Sequence, residues 1–119
     1  MAIIRLATEK DIPRILELYG DLVISTAPSE LNRKPIADDY KRAFAQIQAA
    51  TGQVLLVAEE EGRIIGTMAL VMVPTLSHGG LPWAGVEHVV VDADYRRKGI
   101  GKLMMDYVLA QARKAGCYK

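Results

Sequence analysis

A run of basic residues meets two glycines in the last quarter of the chain. The run reads Arg96-Arg97-Lys98-Gly99-Ile100-Gly101-Lys102. Glycine lacks a Cβ, so a ligand can approach the backbone closely at such a turn. If a helix begins here, the free N–H groups of its first turn also favour an anion. The segment fits a phosphate-binding turn, but glycine and lysine also occur at ordinary helix starts, so the residues alone leave both interpretations open.

Two widespread phosphate loops do not match this run. A nucleotide-triphosphate loop requires serine or threonine after its lysine, and here Leu103 follows Lys102. A dinucleotide-binding turn requires a third glycine three residues after the second, and Met104 occupies that place. Any phosphate site at this turn is therefore of another kind.

The first half of the chain predicts a strand and two helices. Residues 2–7 alternate as a short strand, and a helix begins at Thr8, whose hydroxyl can cap it. A loop is expected over residues 25–35, and a second helix over residues 36–50. The buried faces are expected to be Ile12, Ile15, Leu16, Tyr19 and Val23 in the first helix and Tyr40, Phe44 and Ile47 in the second.

The second half of the chain predicts three strands. Residues 54–60 and 63–73 form a hairpin around the Glu61-Gly62 turn. A third strand spans residues 84–91, and its Val89-Val90-Val91 run has no polar alternation, which indicates burial on both faces.

A helix follows the basic turn and ends near Ala115, with Gly116 as its C-terminal stop. The element order is therefore βααβββα, which is typical of a single α/β domain. The inward stripe of this last helix is expected to be Ile100, Leu103, Met104, Tyr107, Val108 and Gln111.

Composition narrows the function classes. The net charge is +1, so nothing points to nucleic acid or an anionic membrane as a partner. The single cysteine, Cys117, excludes an internal disulfide and is expected to be a small buried residue. Asp92 and Asp94 read as loop and capping residues, so no metal is expected. Because no targeting signal stands out, a cytoplasmic location is expected.

The segment from Val86 to Gly116 resembles the GNAT superfamily of acyl-CoA-dependent N-acyltransferases. The signature of that family, [Q/R]-x-x-G-x-[G/A], is met by Arg96 to Gly101, and the strand and V-x-x-x-Y-R lead-in before it also match. The resemblance covers the whole chain in element order. It implies an α/β fold with a mixed, mostly antiparallel sheet flanked by helices.

The same resemblance implies acetyl-CoA as co-substrate. Backbone N–H groups around Arg97 to Lys102 would hold the coenzyme A pyrophosphate, with positive charge supplied by Arg96, Arg97, Lys98 and Lys102. Val89, Val90 and Val91 would pair with the pantetheine arm as a missing strand would. The reaction implied is acetyl transfer to a primary amine of a small molecule.

Glu87 is the candidate base that the reaction requires. By strand alternation it shares a face with Val89 and Val91. A carboxylate at the strand edge that only reaches solvent is the alternative. His88 is expected on the opposite face in a structural role, and His78 is expected to be an exposed loop histidine.

By the same resemblance, the domain formed by residues 1–119 is expected to be incomplete, because family members continue with further strands. The strand predicted over residues 84–91 would then have an open edge, which is expected to be covered in a homodimer or a strand-swapped assembly. The loop and first helices would form part of the acceptor wall. A non-catalytic coenzyme A-binding or assembly module is the alternative function, and a structural domain without coenzyme is a third.

Overall fold

In the part of the chain that the structure describes, four strands and three α-helices follow one another in the predicted order. The computed structural model describes residues 1–20 and 35–119. Val23 and residues 25–34 of the predicted loop lie outside this described part. The elements are β1 (Ile3–Leu6), α1 (Ile12–Tyr19), α2 (Ala37–Ala49), β2 (Gln53–Glu60), β3 (Arg63–Val73), β4 (Trp83–Val91) and α3 (Ile100–Lys114).

The sheet has the strand order β1-β2-β3-β4, with every neighbouring pair antiparallel. The predicted hairpin is confirmed. Its turn residues Glu61 and Gly62 both have positive φ, 52° and 79°, as a two-residue turn with the right-handed strand twist requires. This order puts β4 at one edge of the sheet in the described chain.

Helices cover both faces of the sheet. On one face, α3 packs Ile100, Met104 and Val108 on the sheet residues Leu56, Ile65, Met68 and Leu70. On the other face, α1 and α2 pack Ile15, Leu18 and Phe44 on Val57, Ile64 and Val90. A Cβ added to Gly66 would lie 2.9 Å from Met104 Sδ, so this glycine lets α3 lie close to the sheet.

A β-bulge interrupts β4, and it overturns two expectations. Ala69 pairs with Glu87 and Thr67 pairs with Val90, so β4 carries one extra residue between these pairs. The bulge places Glu87 on the same face as Val90, not with Val89 and Val91. Burial of the valine run on both faces is also wrong. Val90 is 5% exposed, but Val89 is 37% exposed, because an edge strand with a bulge has no neighbour to cover it.

The entry to α1 differs from the predicted cap. A 3₁₀ turn, Glu9–Asp11, precedes the helix. The Asp11 carboxylate accepts from the Thr8 backbone N–H at 2.8 Å and from its hydroxyl at 3.2 Å. Arg5 donates to the same carboxylate at 2.8 and 3.1 Å. This guanidinium, helped by the Thr8 N–H, holds the pKa of Asp11 below its ordinary value.

The predicted stop of α3 is confirmed. Gly116 has a φ of 80°, its N–H donates to the carbonyl of Arg113, and the Cys117 N–H donates to the carbonyl of Ala112, which is a Schellman motif. Ile100, Met104 and Val108 of the predicted stripe are buried. Leu103 is 38% exposed, because it lies outside the stripe that faces the sheet.

Residues after α3 lie along the start of β4. The Tyr118 N–H donates to the carbonyl of Pro82, and the Ala84 N–H donates to the carbonyl of Lys119. The Tyr118 ring stacks on His78, with ring centroids 3.8 Å apart. His78 is exposed as expected, and Cys117 is only half-buried.

Candidate active site

The basic turn leaves the edge of the sheet where β4 ends. Asp92 follows the strand, and its carboxylate accepts from the Asp94 backbone N–H at 2.8 Å, so the expected capping role is confirmed. A 3₁₀ turn, Ala93–Tyr95, then leads to the glycine segment. Arg97 and Gly99 have positive φ, 66° and 82°. These two left-handed residues redirect the chain into α3.

A shallow pocket of about 320 Å³ lies over this turn. It is lined by Val91, Tyr95, Arg96, Arg97, Gly99, Ile100, Gly101 and Lys102. Most residues of the predicted cofactor turn therefore lie around one concavity, together with Tyr95, which the sequence analysis did not select. Val89, Val90 and Lys98 lie outside its lining.

The two glycines differ in what the fold requires of them. Gly99 has the left-handed backbone that favours glycine. Gly101 is in the first turn of α3, and a Cβ added to it would meet no atom within 4 Å. No packing within the described chain explains this second glycine. Open space above a helix N-terminus is what the close approach of a phosphate group requires.

The charge around the pocket is positive. Arg96 Nε donates to the carbonyl of Val91 at 3.1 Å, and Lys98 Nζ lies 5.3 Å from the centre of the Tyr95 ring. Both cations thus contact neutral groups. Lys102 Nζ lies 2.7 Å from the Asp106 carboxylate, and this contact raises the pKa of Lys102. The first turn of α3 contains no acidic residue.

A buried carboxylate connects the turn to α1. Asp92 is 7% exposed and forms an ion pair with Arg14 of α1. Arg63 lies 3.5 Å from the same oxygen, and Arg14 Nε also donates to the carbonyl of Ile64 at 2.9 Å. The Asp94 N–H, followed by Arg14, holds the pKa of Asp92 below its ordinary value. Sequence reasoning missed Arg14, since residues 78 positions apart share no local pattern.

The bulge displays polar side chains on the edge strand. Glu87 and His88 are both exposed, and no described residue forms a hydrogen bond or ion pair with Glu87. The His88 ring lies 5.7 Å from the Tyr19 ring of α1. The expectation that His88 lies on the face opposite to Glu87 is therefore wrong, because the bulge turns it towards α1.

An apolar groove of about 490 Å³ lies between α1 and α2. Leu16, Tyr19, Tyr40 and Phe44 are among its lining residues. The predicted acceptor wall includes these helices, and its residues 25–34 lie outside the described part. Burial raises the pKa of Tyr19, so its hydroxyl stays neutral over the ordinary pH range.

Two other kinds of feature are absent from the described part of the chain. Within residues 1–20 and 35–119, no group of three or more His, Cys, Asp or Glu side chains is arranged to hold a metal ion. No helix in the same ranges is long and apolar enough to cross a membrane.

Comparisons with known proteins agree with the motif. The model of the acetyltransferase (GNAT) family matches residues 12–119. The glucosamine 6-phosphate N-acetyltransferase of Trypanosoma brucei brucei is 33% identical over 116 residues, which cover 98% of this chain and 75% of that protein. A probable glucosamine 6-phosphate N-acetyltransferase of Oryza sativa subsp. japonica is 36% identical over 88 residues, which cover 70% of this chain but only 53% of that protein.

A solved structure shows the same fold. The crystal structure of glucosamine-6-phosphate N-acetyltransferase from Arabidopsis thaliana superposes with a TM-score of 0.85 at 25% identity. The match covers 100% of this chain and 79% of that one. The chain thus corresponds to about four fifths of this neighbour, and the predicted α/β fold is confirmed.

Proposed function

The chain belongs to the GNAT family of acetyltransferases, which use acetyl-CoA, and we propose that it transfers an acetyl group to the primary amine of a small molecule. The observation that carries this proposal is the open glycine turn at the start of α3. At the end of an edge strand, this turn brings the N-terminus of α3 close to Arg96 and Lys98, two cations that contact neutral groups. An acetyl thioester bound there would supply the electrophilic carbonyl carbon.

The proposed coenzyme site has two parts. Backbone N–H groups between Arg97 and Lys102 bind the pyrophosphate, and Arg96 and Lys98 add positive charge. Val89, Val90 and Val91 offer their backbone to the pantetheine arm. This second part is supported by the position of β4 at the sheet edge and by the exposure of Val89.

Glu87 is the proposed base at the acceptor. Its carboxylate is exposed and has no partner among the described residues, so it is free to attract an ammonium group and to take a proton directly or through water. It lies on the same face as α1 and α2, whose groove would form part of the acceptor wall.

Glucosamine 6-phosphate is the first acceptor to test. The support is the identity to the two named relatives, since residues 21–34 of the proposed acceptor wall are not described. An amino-sugar phosphate has the single primary amine that the reaction needs. We therefore propose a small-molecule amine as the acceptor, with glucosamine 6-phosphate as the first compound to assay.

The test is calorimetric titration with acetyl-CoA. Gly101→Glu adds a carboxylate at the open first turn of α3, and we expect an affinity loss of about 100-fold, since this charge repels the pyrophosphate. The fold should be unharmed, because replacing a helical glycine and adding an acid near a helix N-terminus both stabilise the helix. Leu109→Glu, at an exposed position of the same helix, is the matched control and should bind normally.

Two outcomes would count against the proposal. Equal binding by the wild type and Gly101→Glu would show that the turn is an ordinary helix start. Binding of acetyl-CoA without acetylation of any amine would favour the alternative, a non-catalytic coenzyme A-binding module.

A further inference from the structure

The bulge in β4 has an unusual residue at its left-handed position. Met68 lies opposite the extra residue, and His88 has a φ of 52°. Glycine commonly occupies the left-handed first position of such a bulge, because other residues are strained there. The backbone geometry of the bulge alone therefore favours glycine over histidine at this position. A strained backbone at a sheet edge is a reason to look for a function of the side chain.

The surroundings of His88 suit proton transfer. Its ring is exposed, and the Tyr19 ring of α1 is the titratable group that packs beside it among the described residues, 5.7 Å away. Burial raises the pKa of Tyr19, so this neighbour adds no charge. Met68 on β3 is neutral, and Glu87 is the adjacent charged residue on β4. Among the described residues, the imidazole is thus exposed next to a carboxylate that has no other partner.

We propose that His88 is a catalytic residue of the acetyl transfer, taking the proton that the acceptor ammonium must lose before it can attack. The inference rests on the proposed function and deepens it. Histidine is the side chain whose charge ordinarily changes between about pH 5 and 8, whereas a carboxylate holds a proton poorly at neutral pH. In this refinement His88 accepts the proton in place of Glu87, and Glu87 attracts the ammonium and stabilises the imidazolium.

In the proposed transfer, one C–N bond forms, one C–S bond breaks and the ammonium nitrogen loses two protons. The ammonium nitrogen gives one proton to the imidazole, and the neutral amine forms a C–N bond to the thioester carbonyl carbon. The C–S bond breaks, the second nitrogen proton goes to the departing thiolate, and the imidazolium releases its proton to water. One ammonium and one thioester thus give one amide, one thiol and one free proton.

The matched variant is His88→Gly, because glycine suits the bulge. We expect a melting temperature equal to or above that of the wild type and unchanged affinity for acetyl-CoA. With acetyl-CoA and glucosamine 6-phosphate, or the best amine of a panel, we expect kcat to fall about 100-fold. The deficit should shrink at high pH, where the amine is already neutral, and added imidazole should restore turnover.

The controls separate this role from a structural one and from the proposed function. His88→Asn also tolerates the left-handed backbone but carries no base, so it should be as slow as His88→Gly. Full activity of His88→Gly with a wild-type pH profile would overturn the role of His88 alone. A wild type that acetylates no amine would overturn the proposed function, and the role of His88 with it.

Discussion

At the scale of single residues, the site combines groups that the sequence alone identifies with groups that only the fold brings near. The glycines and cations of the turn are contiguous, so their types and spacing predicted a phosphate site. Tyr95 lies in their pocket and Tyr19 lies beside His88, although no binding or catalytic role was predicted for either residue. The exposed Glu87 carboxylate lies on β4, the strand that carries His88 and leads to the basic turn.

The charge of Glu87 beside the acceptor can be tested by replacing this residue. Glu87→Gln keeps the shape of the side chain but removes its charge and its basicity. We expect kcat to fall about 100-fold while acetyl-CoA affinity and melting temperature stay at their wild-type values. Steady-state kinetics with thiol release as the signal will measure the change. Glu60→Gln, on β2, makes the same charge change and is a suitable control. An unchanged kcat in Glu87→Gln would mean that the Glu87 carboxylate only contacts solvent and has no role in the reaction.

At the scale of elements, the site depends on how β4 ends. The bulge turns Glu87 and His88 towards α1, and Asp92 then fixes the start of the basic turn. Asp92 also forms an ion pair with Arg14, so the position of the turn depends on a helix from the other end of the chain. The turn is therefore held by tertiary contacts as well as by its own glycines.

Asp92→Asn tests this connection through pH. The folded-state pKa of Asp92 is lowered, so its contribution to stability is present above the unfolded-state pKa, about 3.9, and is lost as pH falls through the folded-state value. At pH 7 we expect Asp92→Asn to lower the free energy of unfolding by about 2 kcal/mol, as for a hydrogen bond to a charged group. The difference from the wild type should shrink towards pH 3.

The measurement is urea unfolding at pH 7 and pH 3, with acetyl-CoA titration at pH 7. Asp94→Asn makes the same charge change at an exposed neighbour, and it should be nearly neutral. Weaker acetyl-CoA binding is expected for Asp92→Asn only. A stability difference that does not change with pH would contradict the assignment.

At the scale of the whole molecule, four antiparallel strands lie between α3 on one face and α1 and α2 on the other. The sequence predicted this order because each element has a clear period and a clear stop, such as Glu61-Gly62 or Gly116. The bulge could not be predicted, since His88 is neither glycine nor proline and the valine run after it has no polar alternation that would reveal a shift of register. The Arg14–Asp92 pair depends on tertiary packing, which no local pattern records.

The outer edge of β4 is the surface through which two copies of the chain are predicted to pair. In the described part of the chain, Ala84 of β4 and Pro82 just before it form backbone hydrogen bonds with Lys119 and Tyr118, which follow α3. Pairing of the rest of the β4 edge with a second copy of the chain stays a prediction. If it is right, this 119-residue chain forms a dimer. Sedimentation velocity at micromolar concentration measures this, with and without acetyl-CoA. A monomer under both conditions would contradict it.

The bonds of Asp92 have a thermodynamic consequence for the two substrates. One carboxylate holds both the turn proposed for acetyl-CoA and the helix proposed to line the acceptor groove. If acceptor binding shifts α1, it changes the affinity of the turn, and linkage requires acetyl-CoA to change acceptor affinity by the same factor. Titrating acetyl-CoA with and without saturating glucosamine 6-phosphate gives that factor. A factor of one would mean that the acetyl-CoA turn and the acceptor groove bind their ligands independently, although both are anchored by Asp92.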